Sequence, residues 1–337
     1  MTAGPAPVDA ATITAFLRRR RLVAADAEVR VEALPGGVSN DVLAVDAPGF
    51  EAVVKRALGR LRVEQLWLAD PGRIDTEGRA LQLAGRLTPG AVPRVHDLHE
   101  GYLVIERAPR SWRTWKDELL VGQVRVEIAE HLGRLLGTWQ RATTHDGWTR
   151  LQFGDRTAFT QLRVDPFHRT VAARHPELRD EIEHTVEVME RTDVCLVHGD
   201  YTPKNVMVPP AGSHTGAPAP VWVIDWEVAH VGDPTFDPAW TVGHLLLKTM
   251  HRPGAGPEYA AAARGFLAAL EAELDGAVVL DPAQLVRQTA CLLLARVDGT
   301  SPAGYLDDHA AARTRELGRR LLTDPPVAVT DVWEDLP

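Results

Sequence analysis

The sequence predicts an α+β protein built as two lobes. Three observations carry that expectation. Apolar alternation with a period of two fills the first third of the chain. Amphipathic helical patterns fill most of the rest. The length, 337 residues, is more than one compact core usually holds.

The elements follow in order. Asp9 to Leu22 reads as an opening helix, with Asp9 placed to cap it. "EVRVEAL" (28–34), "DVLAVDA" (41–47) and "FEAVVKRAL" (50–58) alternate as strands, and "GGVSN" (36–40) joins the first two. The second half of 63–87 has helical spacing. "VPRVHDL" (92–98) and "YLVIERA" (102–108) are two further strands. From Trp112 the pattern turns helical. In 126–143, Ile128, Leu132, Leu135, Leu136 and Trp139 share one face. A strand-rich part followed by a helix-rich part is the signature of segregated layers. The expected division is 1–108 and 109–337.

Composition narrows the function. Hydrophobic residues make up 45% and charged residues 25%, as in an ordinary globular enzyme. Mean hydropathy is −0.15, and no apolar run is long enough to span a bilayer. The basic cluster near the N-terminus follows the apolar residues, the reverse of a secretory signal. The only two cysteines, Cys195 and Cys291, lie in apolar runs and read as buried thiols of a cytoplasmic protein. A net charge of −9 and a pI of about 5.8 argue against a nucleic-acid partner. No membrane partner is expected, and the chain is expected to act as a monomer or homodimer.

Two stretches carry chemistry. In "CLVHGDYTPKNVMV" (195–208), short apolar strands flank eight residues, His198 to Asn205. In "VWVIDWEVAHVGDPTFD" (221–237), an apolar run, Val221 to Ile224, ends on Asp225. The two strands look hairpin-related, and each delivers polar oxygens at its end. Asp200, Asn205 and Asp225 make a set of hard oxygens. Such a set suits magnesium, which shares its coordination shell with water and substrate phosphates.

"HGDYTPKN" followed by "VIDWE" resembles the aminoglycoside phosphotransferase and choline kinase family, a branch of the protein-kinase-like fold. The likeness covers nearly the whole chain. Four fixed letters at that spacing arise by chance in about one chain in a thousand. "WKDELLVG" (115–122), "LRVDPFH" (162–168), "HLLLK" (244–248) and "ARVDGTSPAGYL" (295–306) also resemble segments of bacterial phosphotransferases.

The resemblance implies a bilobal fold, a small antiparallel N-lobe that binds nucleotide and a large helical C-lobe that holds the acceptor. It implies transfer of the γ-phosphate of ATP, or GTP, to a hydroxyl of a small molecule, with Mg2+. Antibiotics, sugars and amino alcohols are acceptors of this kind. Asp200 is then the catalytic base, and Asn205 and Asp225 hold the metal. Lys204 either stabilises transition-state charge or is a solvated loop lysine. Lys55 is the phosphate lysine, with Glu77 as its partner and Glu64 as the competitor. "LPGGVSNDVLAV" is the phosphate-covering loop, where Gly36 and Gly37 allow close approach and Ser39 and Asn40 donate to phosphate. The backbones of Glu106 and Ala108 bond adenine. His198 orients the catalytic loop, Asp237 accepts backbone N–H groups from it, and Trp226 packs between the lobes. Asp233 caps a turn, while Glu227 is open to several roles. Gly199 stands where protein kinases commonly carry an arginine, so constitutive activity is expected. Trp112, Trp115 and His251 are candidates for the acceptor pocket. Two alternatives stay open: a kinase of hydroxyacyl-type metabolites, or a pseudokinase that binds nucleotide without transfer.

Overall fold

The computed structural model describes residues 8–34, 38–62, 67–213 and 219–336. The chain forms two compact units, Met1–Arg110 and Ser111–Pro337.

In the first unit, helix α1 (Ala10–Arg19) begins where Asp9 accepts a hydrogen bond from the Thr12 amide at 2.7 Å, an N-cap of the ordinary kind. Five strands follow: β1 (Arg30–Ala33), β2 (Asn40–Ala47), β3 (Phe50–Ala57), β4 (Val95–His99) and β5 (Tyr102–Glu106). They form one antiparallel sheet in the order β1-β2-β3-β5-β4. Helix α2 (Arg73–Leu87) lies between β3 and β4 in sequence. Ile13, Phe16 and Leu17 of α1 bury themselves against Leu43, Val45, Val54 and Val104. That packing makes the strand alternation one-sided.

The second unit is mainly helical. Its helices are α3 (Trp115–Leu120), α4 (Val126–Thr143), α5 (Gly147–Phe153), α6 (Thr157–Phe159), α7 (Thr170–Arg174), α8 (Arg179–Arg191), α9 (Phe236–His251), α10 (Gly256–Leu274), α11 (Pro282–Asp298) and α12 (Asp308–Thr323). Helix α4 spans the predicted residues, and its five predicted apolar positions are all buried. The widened turn over Thr160–Arg169 was not anticipated. It carries Pro166 inside it, and a proline there removes a helical donor and clashes with the preceding turn.

Five short strands hold the polar loops: β6 (Arg113–Thr114), β7 (Cys195–Val197), β8 (Val206–Val208), β9 (Trp222–Val223) and β10 (His230–Gly232). Here the sequence reading needs correction. The strands that lead into Asp200 and Asp225 are not partners. Strand β7 pairs with β10, while β8 pairs with β6 and β9. The strand before Asp225 is also two residues long rather than four. The two segments are still brought side by side, because β8 follows directly from the loop that β7 begins and pairs with β9. Among the described residues, no helix is long and apolar enough to cross a membrane.

Candidate active site

In the first unit, Lys55 lies on β3 and Glu77 on α2. Their Nζ and Oε1 atoms are 2.5 Å apart, and both side chains are buried. Glu64, the competing partner, lies outside the described residues, as do Gly36 and Gly37. Burial of so close a pair demands mutual charge compensation. Asn40 is only 3% exposed and donates to Ser39 Oγ at 3.2 Å; its amide is turned inward, while Ser39 stays half-buried. The Ser39 carbonyl accepts from the Leu58 amide and from Arg73. Arg73, a residue the sequence reading passed over, is buried and also bonds the Leu58 carbonyl at 2.9 Å. It ties the end of β3 to the start of β2. Glu106 pairs with Ala52 and donates its N–H to the Arg94 carbonyl, so it can offer a base only its carbonyl. Ala108 follows β5 in a half-buried segment.

In the second unit, Asp200 is the centre of charge. Its Oδ2 accepts from Arg163 at 2.7 Å, Lys204 at 2.8 Å and Asn205 Nδ2 at 2.8 Å. Its Oδ1 accepts no hydrogen bond among the described residues. Asn205 Nδ2 also bonds the Asp200 carbonyl at 2.9 Å, which leaves the amide oxygen outside both bonds. Burial pushes the Asp200 carboxyl upward, but Arg163 and Lys204 outweigh it and hold the group below its ordinary value.

Arg163 is the residue that sequence reasoning missed. It sits in the Pro166-containing widened turn, donates to the Gly199 carbonyl at 3.0 Å and lies over the Trp240 ring. An arginine therefore does reach the loop that carries Asp200, though not from the position next to the aspartate. Gly199 itself has φ +79°, and a Cβ there would stand 2.8 Å from Val228 Cγ2 and 2.9 Å from the Val228 carbonyl oxygen. Only glycine fits such a place. The one signal toward Arg163 in the sequence is its place in "LRVDPFH", a segment that resembles bacterial phosphotransferases.

Two struts fix the loop. Asp237 accepts from the His198 amide at 2.6 Å and the Gly199 amide at 2.9 Å. His198 Nδ1 accepts from the Asp200 amide at 3.1 Å, so Nε2 carries the proton and donates to the Ile224 carbonyl at 3.1 Å. Burial lowers this imidazole to about 4, so it is neutral near pH 7. The Ile224 amide donates to the Asn205 carbonyl at 2.9 Å. The residue before Asp225 is thereby clamped on both sides. Asp225 adopts φ +69°, a left-handed conformation that is costly outside glycine and tolerable for aspartate.

Trp226 rests on Trp139 and His198, both in the second unit. Asp233 accepts from the Thr235 amide and hydroxyl at 2.9 and 2.7 Å, a turn cap. Glu227 is buried. Trp115 is core, Trp112 packs on Trp222, and His251 packs on Tyr305.

A metal fits this set. A carboxylate and an amide oxygen are hard donors of the kind magnesium takes. Among the described residues no three His, Cys, Asp or Glu side chains converge for a metal, so a cation here would complete its shell with ligand oxygens and water.

The comparisons with known proteins agree with this chemistry. Residues 30–277 match the model of the phosphotransferase enzyme family. No curated protein matches the chain. Among solved structures, an ethanolamine kinase from Plasmodium vivax is 10% identical, with a TM-score of 0.54, covering 92% of this chain and 89% of that one. A choline/ethanolamine kinase family protein from Mesorhizobium loti is 15% identical, with a TM-score of 0.54 and coverages of 93% and 94%. A spectinomycin phosphotransferase in complex with ADP and spectinomycin is 10% identical, with a TM-score of 0.52 and coverages of 98% and 99%. At these identities the structures speak for the protein-kinase-like fold, and the family match covers most of the chain. The chain belongs to the phosphotransferase enzyme family and is a small-molecule phosphotransferase.

Proposed function

We propose that this enzyme transfers the γ-phosphate of ATP to an alcohol, with Asp200 receiving the acceptor hydroxyl. The observation that carries the reading is the division of labour on one carboxylate. Three donors anchor Oδ2, and Oδ1 is left to accept a hydrogen bond from an incoming hydroxyl. The alcohol oxygen forms a bond to the γ-phosphorus, the bond from that phosphorus to the bridging oxygen breaks, and ADP leaves with the bond's electrons. The hydroxyl proton passes to Asp200. A carboxylate held at low proton affinity is a weak base. That suits a loose transition state, in which the attacking oxygen gains acidity only as its bond to phosphorus forms.

Asn205 and Asp225 are the residues that would hold magnesium, whose chemistry here is to neutralise charge on the phosphates. Lys55, kept in place by Glu77, is assigned to the nucleotide phosphates. Ser39 and Asn40 are assigned to the segment that covers them, and Glu106 and Ala108 to the base. The 1–108 part is then the nucleotide lobe and 109–337 the catalytic and acceptor lobe. The spectinomycin phosphotransferase structure contains ADP, which supports an adenine nucleotide as donor.

Two measurements test this. Titration with ATP or GTP in the presence of magnesium is expected to show saturable binding, and its absence at millimolar nucleotide contradicts the reading. Asp225→Ala is expected to abolish turnover and the magnesium dependence of nucleotide binding, with the circular dichroism spectrum preserved. Near-normal turnover in that variant would place the metal elsewhere.

A further inference from the structure

The four segments singled out for their resemblance, "WKDELLVG", "LRVDPFH", "HLLLK" and "ARVDGTSPAGYL", look unrelated in sequence. In the second unit, Arg163 of the second segment binds Asp200 directly. Residues from the other three, Lys116, His244, Lys248 and Arg296, act on one another, and Arg296 also feels Asp200.

Helix α9 carries Thr241, His244 and Lys248 at spacings of three and four, hence on one face. The Thr241 hydroxyl donates to the Tyr201 carbonyl at 2.7 Å, next in sequence to Asp200. One turn on is His244, and beyond it Lys248, which is 1% exposed. The ammonium group of Lys248 has two partners, His244 Nδ1 at 3.3 Å and the Tyr305 hydroxyl at 3.1 Å. It also lies over the Tyr305 ring. Neither partner is an anion. Arg296, on α11, donates Nη1 to the Ser301 carbonyl and hydroxyl, and its buried Nε has no partner among the described residues.

A buried lysine normally finds a carboxylate. Lys248 and Arg296 have none among the described residues. The carboxylate whose field reaches Arg296 is Asp200, and that group is already held by Arg163, Lys204 and Asn205. Burial first, then Arg296 and Lys116, drive the Lys248 amine well below its ordinary value. Burial first, then Lys248, Arg296, Lys204 and Lys116, press His244 in the same direction. The chain as a whole is acidic, at −9, so this buried group of basic side chains runs against the average of the chain. Arg296 and Tyr305 also lie beyond the stretch that the family model matches.

We infer that the acceptor of this enzyme is an alcohol that also bears an anionic group, a carboxylate or a phosphate, which Lys248 and Arg296 bind while its hydroxyl meets Asp200. This deepens the phosphotransferase reading and rests on it. The anion supplies the acidic partner that Lys248 and Arg296 lack among the described residues and favours the protonated form of the Lys248 amine. His244 and Tyr305 hold the Lys248 amine in position as neutral hydrogen-bonding partners.

The test uses one carbon skeleton with different charges. ATP-dependent phosphorylation is measured on the full-length enzyme with glycerate, glycerol phosphate, glycerol and aminopropanediol, each at the same concentration. At least one of the two anionic members is expected to be phosphorylated faster than glycerol by about ten-fold or more, and aminopropanediol slowest. Whichever anion leads tells a carboxylate acceptor from a phosphate acceptor. In Lys248→Met the preference for the anion over glycerol is expected to collapse. Arg296→Gln is expected to reduce it too and serves if the first variant does not fold. The inference is overturned if glycerol or aminopropanediol is used as well as the anions, including the case where none is used. It is also overturned if the anion preference survives both substitutions. MgATP binding by the wild-type protein is measured separately. If it is retained while the charge preference is missing, the inference about the acceptor fails and the phosphotransferase reading stands.

Discussion

Each unit buries a strong charge, and the two solve the problem differently. In the first unit Lys55 meets Glu77 across one strand and one helix. The two opposite charges compensate each other. In the second unit Asp200 meets three donors on a single oxygen, two of them cationic, and keeps its other oxygen clear. One arrangement ends in neutrality. The other ends in an excess of positive charge around a carboxylate that still has capacity to accept. A paired group can position a ligand, whereas a carboxylate held ionised from one side can take part in proton transfer.

If the first unit's two charges compensate each other, breaking the pair should be expensive and local. Lys55→Met leaves Glu77 buried without its cation, and removal of one partner of a buried pair costs about 3–5 kcal/mol. Urea denaturation of the variant is expected to show that loss, together with loss of nucleotide binding. A cost within about 1 kcal/mol would mean that the pair is solvated in solution.

The second unit's geometry depends on Gly199. Its positive φ and the closeness of Val228 mean that Gly199→Ala must shift the loop that carries Asp200. A strained non-glycine residue in such a place costs on the order of 1–3 kcal/mol, before any clash. The denaturation midpoint is expected to fall accordingly, with turnover falling further than stability alone explains. An unchanged midpoint would show that the loop has room the structure does not give it.

The smallest expected effect is at Lys204, which is 51% exposed. An exposed pair contributes about 1 kcal/mol or less to stability. Lys204 nevertheless helps to keep Asp200 below its ordinary value. Without it the carboxyl takes up its proton at a higher pH. In Lys204→Met the acid limb of the pH–kcat profile is therefore expected to move upward in pH, with little change in melting temperature. An acid limb that stays put would separate Lys204 from Asp200 and leave it a solvated loop lysine.

The same contrast explains what was legible in the sequence. Helix α4 and the strands of the first sheet follow from periodicity, because each has one buried face. The spacing of Asp200, Asn205 and Asp225 is equally local, since one loop and one strand end supply them. Arg163 was out of reach: its partner is 37 residues away in the chain, and it sits on a widened turn containing Pro166 that no regular period describes. Lys248 was invisible for a related reason. In "HLLLK" it reads as the polar end of an apolar helix, and only the fold shows that Tyr305, not solvent, receives it. The strand pairing of β7 with β10 was missed because runs of two or three residues are too short to carry a register.

The central claim is that Asp200 accepts the acceptor's proton through the oxygen its neighbours leave clear. Asp200→Asn keeps the shape of the side chain and a hydrogen-bonding oxygen but removes the base. Steady-state turnover at saturating magnesium and ATP, with MgATP affinity measured in parallel, tests the claim most directly. The predicted result is a fall in kcat on the order of 10²–10⁴, with MgATP affinity little changed. Turnover at the wild-type rate in Asp200→Asn would contradict it and leave the loop a holder of the acceptor that abstracts nothing.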